Sequence, residues 1–376
     1  MHMRIVWGLL CLLSLVTAFG PIRGLKLPLK YRLLLGFFSF SAAQGYVLQK
    51  LFDVPVMCPD GLPFPLLVLA KWGDIATLLA GLFSIIWIVI RLCGVKWAPW
   101  QPLVGAMALG AVMLWLGVRL PPMRERVLPV RDLPASAEGM RVAVVADLHI
   151  DCWRGRAWCE AFVERLNAAR PDLVLFTGDQ ADGDIAKRLT DLAPLAKIQA
   201  PCGKYVISGN HEWMFGGEDY LSYYADLGLT VVDGKIVETQ GLTLIGLPDT
   251  RSLTNAETLP LLKALIADLP KEACTILLAH KPGFAPDAAP LGVDVQFSGH
   301  THGGQIPGLA ALMKRFNKGF VRGFYDLPEG MKLFVAPGSA AWIGFPYRLG
   351  YTSELSLFTL TKHVEASESH AHSAMP

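Results

Sequence analysis

The sequence has almost no net charge and no organised set of cysteines. Its 376 residues include 34 Lys and Arg against 32 Asp and Glu, which gives a formal net charge of +2. This balance lacks the basic excess that binds phosphate backbones, so we expect no nucleic acid as a stable partner. The seven cysteines form neither paired Cys-x-x-Cys motifs nor a disulfide framework, which argues against a structural zinc site. Only Cys152 and Cys159 lie close enough in the soluble half to suggest a disulfide pair.

Apolar residues make up 52% of the chain and are concentrated in its first third. Four runs there approach or reach the roughly 20 residues that a helix needs to cross a bilayer core. They cover residues 5–19, 33–51, 75–95 and 103–120. We therefore predict a bundle of about four transmembrane helices within residues 1–122, although the first run also fits a signal peptide. Lys71 and Asp74 precede the third run, either as an intramembrane ion pair or at the interface where the span begins.

Basic residues near the spans set the expected orientation. Short loops rich in Lys and Arg tend to stay in the cytoplasm. The two sides carry nearly equal numbers of basic residues, since Arg4, Lys50, Arg119, Arg124 and Arg126 lie opposite to the loops after the first and third runs. The densest group, Arg23, Lys26, Lys30 and Arg32, follows the first run, so we place that loop in the cytoplasm. The region after the fourth run then lies outside the cytoplasm, in the periplasm of a Gram-negative cell. We therefore predict a multi-pass protein of a bacterial inner membrane with an extracytoplasmic domain.

The second half of the chain alternates short apolar runs with helical patterns. Runs rich in β-branched residues indicate buried strands at residues 140–146, 173–177, 205–208, 243–247, 275–279 and 293–298. Helical patterns lie between several of them, at residues 157–169, 185–196, 218–227 and 256–269. This order predicts an α/β fold with ligands at the carboxyl ends of the strands. We assign residues 123–139 to a linker, 140–362 to this domain and 363–376 to a disordered tail.

Five short polar motifs follow these predicted strands. They are Asp147-Leu148-His149, Gly178-Asp179-Gln180-Ala181-Asp182, Gly209-Asn210-His211-Glu212, Ala279-His280 and Gly299-His300-Thr301-His302. Any one of them is also an ordinary turn or helix cap. Five in order, at the ends of successive strands, supply the nitrogen and oxygen ligands of a two-metal hydrolytic centre. The sequence therefore predicts metal-dependent hydrolysis of a phosphoester.

The motif series resembles that of the calcineurin-like metallophosphoesterase superfamily, which reads D-x-H, G-D-x-x-D, G-N-H-[D/E], H and G-H-x-H. The resemblance extends from about Arg141 to Leu360. Gly303-Gly304-Gln305-Ile306, together with Arg348-Leu349-Gly350, is similar to the membrane-attached bacterial branch. The resemblance implies a sandwich of mixed sheets flanked by helices, here preceded by the transmembrane bundle.

The resemblance also implies a ligand set for two divalent metal ions. Manganese is the preferred candidate, with iron, zinc or cobalt as alternatives. The first ion would take Asp147, His149 and His302, the second would take Asn210, His280 and His300, and Asp179 would bridge them.

Two further residues receive catalytic roles from the resemblance. His211 would be the catalytic acid, oriented by Glu212, and the attacking group would be a hydroxide that bridges the metals. Asp182 is expected to stabilise the loop rather than to bind metal, and Asp249 is a further candidate for lining the site.

These expectations describe a membrane-anchored phosphoesterase that acts on a phosphomonoester, a phosphodiester or a lipid-linked pyrophosphate. One alternative is a pyrophosphatase that acts on UDP-2,3-diacylglucosamine in lipid A synthesis, which requires a cytosol-facing domain. A second alternative is a non-catalytic membrane sensor that binds a phosphorylated ligand. Because every motif lies beyond Arg141, a fragment without the apolar region is expected to fold and to remain active.

Overall fold

A helical hairpin forms the first large element of the computed structural model, which describes residues 17, 21–33, 64–249, 255–342 and 345–363. Helix α1 (Phe64–Leu92) is followed by helix α2 (Gln101–Val118). Ile75 lies beside Gly110, and Phe83 lies beside Gly105, so the two helices run antiparallel. A Cβ atom at Gly110 would lie 3.1 Å from Ile75 Cγ2, which shows how closely the backbones approach.

Both helices of the hairpin are long and apolar enough to cross a membrane. They correspond to the third and fourth apolar runs, whereas the runs at 5–19 and 33–51 fall almost entirely outside the described residues. The described ranges thus hold two candidate spans, and the expected bundle of about four is not found in them. Helix α1 also begins earlier than predicted and continues through Lys71 and Asp74, which form an ion pair of 3.8 Å. Pairing and cover by protein allow both charges to lie within the helix.

In the described part of the chain, twelve strands follow the hairpin and form two six-stranded sheets. The strands are β1 (Met123–Val130), β2 (Arg141–Val145), β3 (Leu173–Phe176), β4 (Lys204–Val206), β5 (Thr230–Val231), β6 (Ile236–Thr239), β7 (Leu242–Leu247), β8 (Cys274–Ala279), β9 (Val295–Ser298), β10 (Gly323–Asp326), β11 (Lys332–Val335) and β12 (Leu355–Lys362). The first sheet has the order β1-β12-β2-β3-β4-β5 and the second has the order β10-β11-β9-β8-β7-β6. Both sheets are mixed, since β12 pairs antiparallel with β2 and β6 pairs antiparallel with β7.

Seven helices flank the two sheets in the part of the chain that the structure describes. They are α3 (Arg156–Ala168), α4 (Ile185–Leu192), α5 (Asn210–Phe215), α6 (Glu218–Asp226), α7 (Asn255–Ile266), α8 (Ala285–Ala288) and α9 (Pro307–Phe316). The predicted α/β class and the predicted sandwich of mixed sheets are confirmed. Residues 123–139, which the sequence assigned to a linker, contain strand β1 instead.

The core lies between the two sheets, and further apolar layers lie between each sheet and its helices. Alternate residues of β2 show this arrangement, because successive side chains of a strand point to opposite faces. Val142 and Val144 belong to the central cluster, whereas Ala143 and Val145 pack with Phe162 of α3. Cys159 is buried in this outer layer, and both it and Cys152 are free thiols, so the suggested pair does not form.

The hairpin packs directly against the α/β sandwich. The Tyr347 hydroxyl donates a hydrogen bond to the Lys71 carbonyl (2.8 Å), and the Arg348 N–H donates to the Met113 carbonyl (3.0 Å). Trp153 packs edge to face on Phe64, with ring centroids 5.8 Å apart. These contacts lie at the end of the hairpin formed by the start of α1 and the end of α2, so the opposite end points away from the sandwich.

Candidate metal centre

The five polar motifs meet where central strands of both sheets end. Strands β2, β3 and β4 of the first sheet run parallel to one another, as do β8 and β9 of the second. The loops after them are joined by hydrogen bonds: the Asp147 N–H donates to the Gly178 carbonyl (3.1 Å), and the His300 N–H donates to Asp147 Oδ1 (3.0 Å). Asp147 therefore connects the motifs of the first sheet with the last motif of the second.

Six of the seven predicted metal ligands form two clusters. Asp147, His149 and His302 form one, and Asp179, His280 and His300 form the other. The possible ligand atoms within each cluster lie within 4.8 Å of one another. The seventh residue, Asn210, precedes His211, whose N–H donates to Asp179 Oδ1 (2.8 Å). The structure thus brings together the residues that the sequence motifs singled out.

Three of the histidines have their Nδ1 atoms held by acceptors. His149 Nδ1 contacts Asp182 Oδ2 (2.8 Å), His280 Nδ1 contacts the Thr177 carbonyl (2.8 Å) and His302 Nδ1 contacts the Ala340 carbonyl (3.2 Å). A carbonyl or carboxylate oxygen only accepts, so each Nδ1 is the donor. In its neutral form each ring would present the lone pair of Nε2 to the centre, as in metal-binding histidines.

The positions of these lone pairs fit a cation. His149 Nε2 and His302 Nε2 face each other at 3.1 Å, and neither carries a proton when Nδ1 does. His280 Nε2 is buried 3.2 Å from Asp179 Oδ2, and Asn210 Oδ1 is buried without a hydrogen-bond partner among the described residues. Buried polar atoms without partners are costly, and divalent ions would satisfy all of these atoms. The donor set of imidazole, carboxylate and amide oxygen suits a first-row transition metal.

The electrostatics of the two clusters differ. Burial raises the pKa of Asp179, yet the nearby His280 and His211 hold it well below its usual range. Burial raises the pKa of Asp147 to about 6, because the positive charge nearby does not offset the loss of hydration. Burial, together with the charge of His280, lowers the pKa of His300 to about 3. His300 is therefore neutral, as a metal ligand must be.

His211 lies beside both clusters. Its Nδ1 contacts Asp182 Oδ1, and its Nε2 lies 3.9 Å from Asp179 Oδ2. Burial lowers the pKa of His211, but the charges of Asp179 and Asp182 outweigh this and raise it to about 9. His211 also forms a third cluster with His149 and Asp179, so its Nε2 faces the same space as the predicted ligands.

Glu212 has a different position from the one predicted. Its carboxylate accepts four hydrogen bonds of 2.7–2.9 Å, from the N–H groups of Asp179, Gln180 and Gly209 and from the Tyr224 hydroxyl. Glu212 therefore holds two motif loops together, and the side chain that contacts His211 is Asp182. The predicted orienting contact comes from Asp182, and Glu212 acts on His211 through its charge, which raises the pKa of the imidazole. The Asp179-x-x-Asp182 spacing was the signal for the correct partner.

The backbone of the candidate ligands is strained. Five of them have positive φ angles, namely Asp147 (54°), His149 (44°), Asp179 (57°), His300 (70°) and His302 (50°). Such conformations are unfavourable for residues other than glycine and cluster at functional sites. Gly178 also has a positive φ of 94°, and a Cβ there would lie 2.7 Å from His280 Nδ1, so only glycine fits.

Two arginines that sequence reasoning did not assign to the site lie fully buried behind the first cluster. Arg154 Nε donates to the His149 carbonyl (2.9 Å), and Arg348 Nη1 donates to the His302 carbonyl (3.0 Å). Arg348 Nη2 donates to the carbonyls of Pro337 (2.8 Å) and Ala340 (2.7 Å). The residue before each arginine is an aromatic that packs on the helical hairpin, Trp153 and Tyr347. A single arginine forms no recognisable motif in the sequence. Arg348 was noted there only because Arg348-Leu349-Gly350 resembles the membrane-attached bacterial branch.

Asp249 lies close to the second cluster. It is buried and forms an ion pair with Lys281 Nζ (2.6 Å). Burial lowers the pKa of His280, while Asp179 and, less strongly, Asp147 and Asp249 raise it to about 10. Asp249 thus acts on the second cluster through its charge.

Comparison with known proteins identifies this arrangement. Residues 140–304 match the family model of the calcineurin-like phosphoesterases. An uncharacterized metallophosphoesterase of Helicobacter pylori is 29% identical over 65% of this chain and 65% of its own. A bovine (Bos taurus) transmembrane protein with a metallophosphoesterase domain is 28% identical over 67% of this chain and 60% of its own. The chain therefore spans less than two thirds of the length of these relatives.

Similar folds occur among solved structures at low identity. The phosphopantetheinyl hydrolase of Mycobacterium tuberculosis is 15% identical, with a TM-score of 0.36 over 55% of this chain and 92% of that one. The matched residues 140–304 contain all five polar motifs and both clusters of candidate ligands. The chain carries a calcineurin-like metallophosphoesterase domain.

Proposed function

We propose that the chain is a membrane-associated phosphoesterase that uses two divalent metal ions. The observation that carries this proposal is the paired His/Asp clusters at the strand ends, together with Asn210 Oδ1, which is buried beside them without a hydrogen-bond partner among the described residues. Manganese is the preferred metal.

The two clusters suggest how the ions would be shared. The first would bind to Asp147, His149 and His302, the second to Asn210, His280 and His300, and Asp179 would lie between them. Bound there, two dications would polarise the phosphoryl oxygens and lower the pKa of a water molecule, which makes a nucleophile available near neutral pH.

His211 is the proposed proton donor to the leaving oxygen. Asp182 holds Nδ1, which leaves the Nε2 proton directed at the space between the clusters. The charges of Asp179 and Asp182 favour the protonated imidazole. General acid catalysis needs this combination of fixed orientation and available proton.

The hairpin and the charges at its far end support an extracytoplasmic domain. Gly24 lies beside Pro99, so residues 21–33 lie next to the α1–α2 connection, at the end away from the sandwich. This end carries six basic residues, Arg23, Lys26, Lys30, Arg32, Arg91 and Lys96, and residues 21–33 and 93–100 contain no acidic residue. The positive-inside rule places such an end in the cytoplasm.

This orientation favours one substrate class. An extracytoplasmic centre would act on phosphoesters of membrane lipids or of the cell envelope. It would not act on a cytosolic sugar-nucleotide lipid such as UDP-2,3-diacylglucosamine. The name of the bovine relative, a transmembrane protein with a metallophosphoesterase domain, supports the same combination of hairpin and hydrolase.

The test is hydrolysis and metal content of the full chain in detergent. We expect Mn-loaded protein to hydrolyse p-nitrophenyl phosphate or bis(p-nitrophenyl) phosphate. Asp179→Asn should lose at least one ion and most turnover, because it removes the charge between the two clusters. Asp226→Asn, the same change at an exposed position on α6, is the matched control and should change neither.

Two results would overturn the proposal. One is an Asp179→Asn variant that retains two tightly bound ions and full turnover. The other is Mn-loaded wild-type protein that hydrolyses no monoester or diester, which would favour the sensor alternative.

A further inference from the structure

Helix α9 (Pro307–Phe316) follows the last metal motif directly and has no buried residue. Its apolar side chains Leu309, Leu312, Met313 and Phe316 have the spacing i, i+3, i+4 and i+7, so they form one stripe along the helix. Leu312 is 48% exposed and Phe316 is 63% exposed. A water-facing helix of a globular domain normally turns such a stripe toward the core.

The stripe is unusual within the described part of the sandwich. Beyond the hairpin and residues 21–33, the large apolar residues that are exposed are Val127, Leu189, Leu312, Phe316 and Phe324. Leu312 and Phe316 are the pair that shares one face of one helix. Scattered apolar residues need no explanation, whereas a contiguous exposed stripe indicates a binding surface.

The start of α9 lies where the hairpin meets the sandwich. Ile306, the residue before α9, packs in the apolar cluster that joins Leu67 and Met113 of the hairpin to Tyr347. Gln305 Nε2 donates to the Phe345 carbonyl (2.7 Å), which fixes this junction. The start of α9 therefore lies beside the two helices that are apolar enough to cross a membrane.

The charge around α9 is positive. Lys314 and Arg315 lie exposed in its last turn. Residues 302–325 contain no acidic residue. An apolar stripe with basic residues beside it is the pattern of helices that lie in the interface of an anionic membrane.

We propose that α9 is an interfacial helix, with the stripe inserted among the lipids of the leaflet next to the sandwich and with Lys314 and Arg315 against anionic headgroups. This inference concerns membrane contact and does not depend on the proposed catalysis. Gly304 leaves no room for a Cβ beside Ala310 of α9, and Gly304 lies two residues after His302. The helix therefore ties the loop of a candidate metal ligand to the bilayer surface.

The test measures contact with lipid rather than activity. The full chain, with a fluorescent amino acid at position 312, is reconstituted in vesicles of phosphatidylcholine and phosphatidylglycerol that contain brominated acyl chains as quenchers. The control carries the same fluorophore at position 127, which is 64% exposed. Strand β12 pairs parallel with β1 and antiparallel with β2. Val127 therefore lies level with the start of β2, whereas the metal centre lies beyond the end of β2.

We expect quenching at position 312 and none at position 127. Quenching should fall when phosphatidylglycerol is omitted and when Lys314→Glu and Arg315→Glu are combined. The matched control is Lys263→Glu with Lys271→Glu, which makes the same change of charge at exposed positions in or near α7.

Three outcomes would overturn the proposal. The first is equal quenching at the two positions. The second is a fluorophore at 312 that is shielded from both water and brominated lipid, because protein, either a second copy or another segment of this chain, would then cover the stripe. The third is quenching that changes neither when phosphatidylglycerol is omitted nor when the charges of Lys314 and Arg315 are reversed. That result would contradict the proposed contact with anionic headgroups.

Discussion

Asp182 uses its two carboxylate oxygens for two different histidines. Oδ2 contacts His149, a proposed metal ligand, and Oδ1 contacts His211, the proposed acid. The two rings therefore share one support, and their centroids lie 4.6 Å apart. A ligand and an acid held by the same carboxylate keep a fixed distance from each other.

Substitution of His211 should separate catalysis from metal binding. We expect His211→Gln to retain metal near the wild-type level, while kcat falls by about 10²–10⁴, the range for loss of general acid catalysis. His280→Gln is the matched control and should lose metal as well as turnover, because His280 belongs to the second cluster of candidate ligands. Metal analysis and steady-state kinetics of both variants check this. Equal metal loss in both would make His211 a ligand.

Arg348 should affect metal binding at the first cluster through the backbone carbonyls to which it donates hydrogen bonds. Arg348→Met removes the donors of three carbonyls, including that of His302, so metal affinity should fall by about 10–100-fold, as for other residues that orient ligands. Arg348→Lys should restore part of it. Metal affinity measured by competition with a chelator distinguishes this from a general loss of stability. Arg156→Met, which removes an exposed ion pair, is the control, and an Arg348→Met variant with unchanged affinity would contradict the expectation.

At the residue scale, the sequence predicts which candidate ligands the fold brings together. It does not predict the groups that accept hydrogen bonds from them. The ligands lie in short motifs whose spacing is visible in the chain. The acceptors for His280 and His302 are the backbone carbonyls of Thr177 and Ala340. Backbone acceptors carry no residue signature, and these two lie far from their histidines in the sequence, so only the fold reveals them.

At the scale of elements, the central strands were predictable and the outer strands were not. Strands β2, β3, β7 and β8 are buried on both faces and read as continuous apolar runs. Strand β1 lies at a sheet edge and contains two arginines, a glutamate and a proline, which are typical of edge strands. Its sequence therefore resembles a linker.

Contact between α2 and the sandwich depends on Gly117. A Cβ at this position would overlap the Pro346 carbonyl, so we expect Gly117→Ala to destabilise the protein by about 1–3 kcal/mol, the usual cost of overpacking. Gly105→Ala, in the same helix, places its Cβ 3.5 Å from Phe83 and should be neutral or slightly stabilising. Thermal unfolding in detergent compares the two. Equal midpoints would mean that the loop at Pro346 moves away without cost.

At the scale of the whole molecule, the hairpin is part of the folded structure as well as a proposed membrane anchor. Tyr347 and Trp153 are buried between the hairpin and the sandwich. A fragment that begins at residue 123 would expose both side chains. The expectation that such a fragment folds and remains fully active is therefore revised.

We now expect the fragment 123–376 to aggregate more readily and to bind metal more weakly than the full chain, since Arg348 loses the hairpin contacts of its neighbour. A longer fragment that begins at residue 64 retains α1 and α2 and should match the full chain. Metal affinity and the midpoint of thermal unfolding compare the fragments. A fragment 123–376 with full-length values for both would show that the hairpin serves only as an anchor.

Strand order has a consequence for how the protein is made. Strand β1 follows the hairpin immediately, yet in its sheet it pairs only with β12, whose residues are among the last described. During synthesis the segment after the hairpin therefore emerges more than 200 residues before its partner, Leu355–Lys362. Non-local pairing of this kind delays folding. The first sheet cannot close until residues 355–362 have left the ribosome, so a nascent chain that stalls before residue 355 keeps an open sheet edge next to the hairpin.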